Sequence, residues 1–110
     1  MFEVTSKNIM LFFNLLLFSA MSCAAEESLS SERQEELKHL LLHDCGSCHG
    51  MTLKGGLGPA LTPDALLNKP EAFLFQTINL GRHGTPMPPW QGLLTEAEIH
   101  WIVSTLKKGI

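Results

Sequence analysis

The residues richest in chemistry are Cys45-Gly46-Ser47-Cys48-His49. Two thiols stand three positions apart, and an imidazole follows the second at once. That spacing suits covalent capture of haem: each cysteine adds across one vinyl group, and the adjacent histidine reaches the iron. A redox dithiol and half of a zinc site are the competing readings. The histidine extension weakens the dithiol, and no second Cys-x-x-Cys is present to complete a zinc tetrad. Haem c, one group covalently attached through Cys45 and Cys48 with His49 as an iron ligand, is the expectation.

A haem held this way needs a sixth ligand. Met87 is the candidate, in Gly81-Arg82-His83-Gly84-Thr85-Pro86-Met87-Pro88-Pro89-Trp90. Three prolines remove backbone donors and stiffen that stretch into a loop. A thioether is a soft, neutral ligand that raises haem potential. Met87 follows His49 by 38 residues, enough chain to reach the far face. His83 is the competitor and would make a bis-histidine site of lower potential; an open sixth site is the third option. Met51 is too near His49 to cross the ring, and Trp90 is a candidate propionate or rim contact.

Several elements must position these groups. A helix is expected from about Ser30 or Ser31, where Ser31 and Gln34 resemble a capping box. Leu37, Leu40 and Leu41 then fall on one face and the helix runs into the cysteines, with His39 and His43 facing solvent. Gly55-Gly56-Leu57-Gly58-Pro59 reads as an irregular loop on the His49 side, and a backbone carbonyl there, Pro59 O, is the candidate acceptor for the ring N–H of His49. Thr62 caps a short helix from Pro63. Pro70 suits the first position of another, which carries Phe73, Leu74, Phe75 and Ile78 as core residues and ends at Gly81. Thr95 and Glu98 form a capping box for a last helix. Its stripe is Ile99, Ile102, Val103 and Leu106, and it closes with Lys107, Lys108 and Gly109. Trp101 lies off the stripe, and His100 is expected on the surface.

The first residues have the layout of a secretory signal: Lys7, an apolar run of about 12 residues, then small residues around Ser22 to Ala25. Residues 1–25 are expected to be cleaved, leaving a single domain over 26–110 and a periplasmic location. Cys23 offers a weak lipoprotein box. Membrane attachment would follow only from lipidation there or from an uncleaved signal. About 85 residues is small for a self-sufficient core, so the haem would serve as its centre. From Glu26 onward seven Lys and Arg stand against ten Asp and Glu. No basic patch with interleaved aromatics points to nucleic acid, and a monomer is expected.

Cys45-x-x-Cys48-His49 after a helix, Gly58-Pro59, Met87 in a proline-rich loop and a closing amphipathic helix together resemble a class I cytochrome c, over about residues 30 to 108. The resemblance implies an all-α cytochrome c fold of four to five helices around one haem. It also implies His49 and Met87 as axial ligands and Pro59 O as the partner of His49. The chain departs from many family members in having Leu41, rather than an aromatic residue, four positions before the first cysteine. The wording from Cys48 to Leu61 and from Gly84 to Trp90 is similar to the small monohaem cytochromes encoded beside cytochrome cd nitrite reductase in denitrifying bacteria.

The expected function is therefore a periplasmic electron carrier, not an enzyme, with redox proteins as partners and cytochrome cd nitrite reductase foremost. Electrons would pass through a neutral rim around Cys48 and the Met87 loop. Supply of electrons for haem d maturation of that reductase is the alternative. A haem-based enzyme or ligand sensor with an open sixth site is the alternative from another class.

Overall fold

The computed structural model describes residues 28–110. The stretch read as a secretory signal, Cys23 included, lies outside the described residues. Among those described, the chain is helical with no strand. Helix α1 spans Ser31–Leu40 and continues through a π-helical turn, Leu41–Cys45, into α2, Gly46–His49. Then come α3, Pro63–Leu66, α4, Glu71–Leu80, and α5, Glu96–Lys108.

Capping chemistry sets the boundaries. Ser30 caps α1, its hydroxyl accepting the Arg33 N–H at 3.2 Å. The expected Ser31–Gln34 box does not form, because the Gln34 amide instead donates to Leu29 O at 2.9 Å. Thr62 caps α3 as expected, and Pro63 takes the first helical position. Pro70 is the cap of α4 rather than its first residue: its ψ of 144° is extended and the helix starts at Glu71. The α5 box is complete, with Glu98 N–H donating to the Thr95 hydroxyl at 3.2 Å and Thr95 N–H to the Glu98 carboxylate at 2.8 Å.

The apolar stripes meet in one core. Leu37 and Leu41 from the first helical stretch are buried together with Ile99, Ile102, Val103 and Leu106 of α5. Leu66, Leu74, Phe75, Leu94 and Leu53 complete it, with Trp90 and Trp101 packed at its margin. The absent aromatic at position 41 is thus made good by aliphatics. Phe73 departs from expectation: it is 50% exposed, whereas Leu74 beside it in sequence is buried, and the Lys69 ammonium is 5.6 Å from its ring. Lys69 offers the ring a cation there in place of a core contact.

A second bond joins the start of α1 to the start of α5. The Arg33 guanidinium donates to the Glu98 carboxylate at 2.6 Å, and to Glu36 at the same distance. Glu98 is buried, so its capping oxygen and its ion-paired oxygen are both satisfied. That pair holds the carboxyl well below the usual range, the Arg33 hydrogen bond being the largest cause. No helix among the described residues is long and apolar enough to cross a membrane.

Candidate functional site

The π-helical turn brings the cysteines to the core. The N–H of Gly46 bonds Leu41 O, five residues back, in place of the usual four-residue step. One residue is therefore accommodated just before the motif. Leu41 stays fully buried while Cys45, Cys48 and His49 all line one cavity. The Ser47 hydroxyl ties this turn down by donating to Asp44 O at 2.7 Å.

The next loop is built around the His49 ring. Gly58 N–H donates to Cys48 O and Gly55 N–H to His49 O, both at 2.8 Å, which folds the loop back onto the motif. A Cβ at Gly58 would lie 2.8 Å from ring atoms of His49, so only glycine lets the backbone come this close. The ring Nδ1 is 2.7 Å from Pro59 O. A carbonyl only accepts, so Nδ1 carries the proton and Nε2 keeps its lone pair for a metal. The expected Pro59 partner is where the sequence placed it.

Met87 lines the same cavity, with Pro86 and Pro88 on either side. The remaining walls are largely apolar: Leu40, Leu41, Leu61, Leu66, Leu74, Ile78, Leu94, Ile102 and Leu106, with Trp90 among them and Asp44 and Thr77 as the other polar residues. His83, the competing ligand, is exposed on the Met87 loop and is not part of these walls. Met51 is 59% exposed and not part of them either. His39 and His43 are exposed, their rings 4.1 Å apart. His100 is exposed and stacks on Phe75 at 4.4 Å, a contact the helical stripe alone did not reveal.

The donor set and its surroundings fit a haem rather than a zinc ion or a reactive dithiol. Burial pushes the Cys45 thiol up to about 11, with the Asp44 charge adding to the effect. That disfavours the thiolate, the form that disulfide exchange uses. No group of three or more His, Cys, Asp or Glu among the described residues is placed to hold a metal ion. The ligand-bearing residues instead surround an apolar space that a flat, apolar macrocycle would fill.

Known proteins agree with this geometry. A family model described as cytochrome C oxidase, cbb3-type, subunit III, matches residues 32–104. Cytochrome c55X of Pseudomonas aeruginosa is 56% identical over 85 residues, 77% of this chain and 71% of that one. The chain is a c-type cytochrome. Cytochrome c55X of Stutzerimonas stutzeri is 50% identical, over 87% of this chain and 82% of its own. That of Paracoccus denitrificans is 43% identical, over 86% and 91%. Among solved structures, the c-type cytochrome NirC superposes with a TM-score of 0.72 at 56% identity, covering 74% of this chain and 95% of that one. Like these cytochromes, the protein carries covalently bound haem c and has the all-α fold of the family.

Three features of this cytochrome have no signal in the sequence. The π-helical turn has no composition signature. The Thr85 hydroxyl bridges Arg82 O and the Met87 N–H in a proline-rich loop whose path no local pattern gives. The Arg33–Glu98 pair joins residues 65 apart, which no local pattern can connect.

Proposed function

We propose that the cytochrome is a periplasmic single-electron carrier serving cytochrome cd nitrite reductase in denitrification, exported by a signal over residues 1–25 and working as residues 26–110. The observation that carries the reading is the convergence of two thiols, one imidazole with its tautomer fixed, and one thioether on a single apolar cavity. In it Cys45 and Cys48 would hold the haem through thioether bonds, and His49 Nε2 and Met87 Sδ would ligate its iron. Bound haem supplies a ferric–ferrous couple, which involves no substrate bond. The chain's part is to hold both axial donors at fixed distance in either oxidation state and to keep water from the iron. Pro59 O orients the imidazole, and the Pro86–Pro88 frame positions the sulfur. Trp90, half-buried at the cavity wall, would contact the haem rim or a propionate.

A closed pair of axial ligands favours relay over reaction. Supporting the pathway are the loop wording shared with the cytochromes encoded beside that reductase and the 56% identity to cytochrome c55X. The test is rapid mixing of reduced holoprotein with oxidised cytochrome cd nitrite reductase. Reoxidation within the mixing record is expected, and a cytochrome that stays reduced contradicts the partner. N-terminal sequencing of the exported protein should begin near Glu26. A lipidated Cys23 as first residue would overturn the soluble form.

A further inference from the structure

The loop that carries Met87 is closed upon itself. Gly81 starts it at φ +66°, and a Cβ there would lie 2.6 Å from the backbone carbon of Pro88, so the two ends of the loop touch. Arg82 N–H donates to Met87 O at 3.2 Å. Arg82 O accepts twice from Thr85, from the N–H at 3.1 Å and from the hydroxyl at 2.7 Å. The same hydroxyl accepts the Met87 N–H at 3.3 Å. Pro86 and Pro88 have no N–H to give, so Met87 supplies the one backbone donor of Pro86–Met87–Pro88, and Thr85 is its acceptor. Among the described residues no hydrogen bond joins the segment Arg82–Met87 to another helix. Outside anchoring begins with Trp90 N–H to Ile78 O and Gln91 N–H to Asn79 O, at 3.1 and 3.2 Å.

We propose that the Thr85 hydroxyl is a positioning residue for the sixth ligand: by bridging Arg82 O and the Met87 N–H it keeps the Met87 thioether over the iron and sets how rarely the sixth position opens. This rests on the reading of Met87 as axial ligand. The loop is exposed, and Thr85 itself faces solvent. Water can therefore replace either bond, but it cannot connect both groups in one rigid geometry. The prolines limit how the loop bends, while the hydroxyl selects which bend persists. Without it, the Met87 N–H loses its partner and the sulfur leaves more often.

The experiment uses the haem-loaded, oxidised protein with imidazole and cyanide as probes, since each binds only after Met87 departs. Thr85→Val keeps the shape and removes the hydroxyl, and Thr85→Ser restores it. Opening is expected to be about tenfold faster in Thr85→Val, the scale of one lost hydrogen bond. The weak long-wavelength band of thioether-ligated ferric haem should weaken, and the reduction potential should fall. Thr85→Ser is expected to match the wild type in all three. Equal opening rates and potentials in Thr85→Val and wild type would overturn the inference while leaving Met87 as ligand. Absence of the long-wavelength band in the wild type, with immediate cyanide binding, would instead overturn the ligand reading itself. If Thr85→Val fails to load haem, hydrogen exchange in the wild type decides: Met87 N–H slower than Gly84 N–H is expected, and equal rates overturn the proposal.

Discussion

The loop beneath His49 is held by backbone packed on an imidazole; the loop carrying Met87 is held by hydrogen bonds among its own residues. On the first, Gly58 leaves no room for a side chain beside the ring, and the bonds from Gly55 and Gly58 return to the haem motif itself. On the second, every residue from Arg82 to Pro89 except the half-buried Met87 is exposed, and Pro86, Met87 and Pro88 form its part of the cavity wall. Steric closure resists displacement because any shift creates a clash or a void. Exposed hydrogen bonds are contested by water and contribute less each. On the proposed reading the His49 side is a fixed wall and the Met87 side a door whose latch is local.

The largest break falls on neither loop but on the anchor they share. Cys45→Ala or Cys48→Ala is expected to abolish normal covalent loading, read as haem retained on the denatured chain. A normally loaded holoprotein would refute the thioether assignment. Next, Met87→Ala is expected to open the door outright, with a lower reduction potential and rapid binding of external ligands. An unchanged potential would hand the ligand role to another residue. Gly58→Ala attacks the wall. A methyl pressed against the His49 ring is expected to cost about 1–3 kcal/mol in denaturant unfolding, with no gain in ligand access unless the imidazole also moves. If the variant unfolds like the wild type, the close approach is not a constraint.

A smaller effect sharpens the same contrast from outside the cavity. Glu98 ties α5 to α1 through Arg33, and its carboxyl is held low by that contact. A depressed carboxyl contributes stability that is complete above its unfolded value of about 4.3 and is lost as the pH falls through the lower, folded value. Glu98→Gln keeps an acceptor for the cap and removes the charge. It is expected to be less stable than the wild type at neutral pH, with the gap closing in acid. A gap that persists through the acid range would mean that the charge is not what matters. The Pro59→Ala change should be the mildest, within about 0.5 kcal/mol, because the carbonyl that orients His49 remains.

What could be foreseen from the sequence follows the same division. The His49 side is contiguous: Cys48 to Pro59 supplies the imidazole, the turn and the carbonyl within one short stretch, so Pro59 O could be named before any coordinates. The stripe of α5 and its Thr95–Glu98 box were legible for the same reason, being set by local periodicity and capping. The door was legible only in part. Met87 stood out by residue type, but the Thr85 bridge depends on how a proline-rich loop folds back, and that is fixed by backbone angles such as those of Gly81. Phe73 looked like core because its neighbours Leu74 and Phe75 are, yet a helix turns it outward beside Lys69. The pairing of Arg33 with Glu98 needed two helices to be brought together first.

The central claim is that both axial positions are closed, one by the His49 wall and one by the Met87 door. The most direct measurement is exposure of the reduced, haem-loaded protein to carbon monoxide at neutral pH. The spectrum is predicted to stay that of a six-coordinate, low-spin ferrous haem with no carbon monoxide bound. Rapid stoichiometric binding of the gas would contradict the account and turn the molecule from a relay into a ligand-binding haem protein.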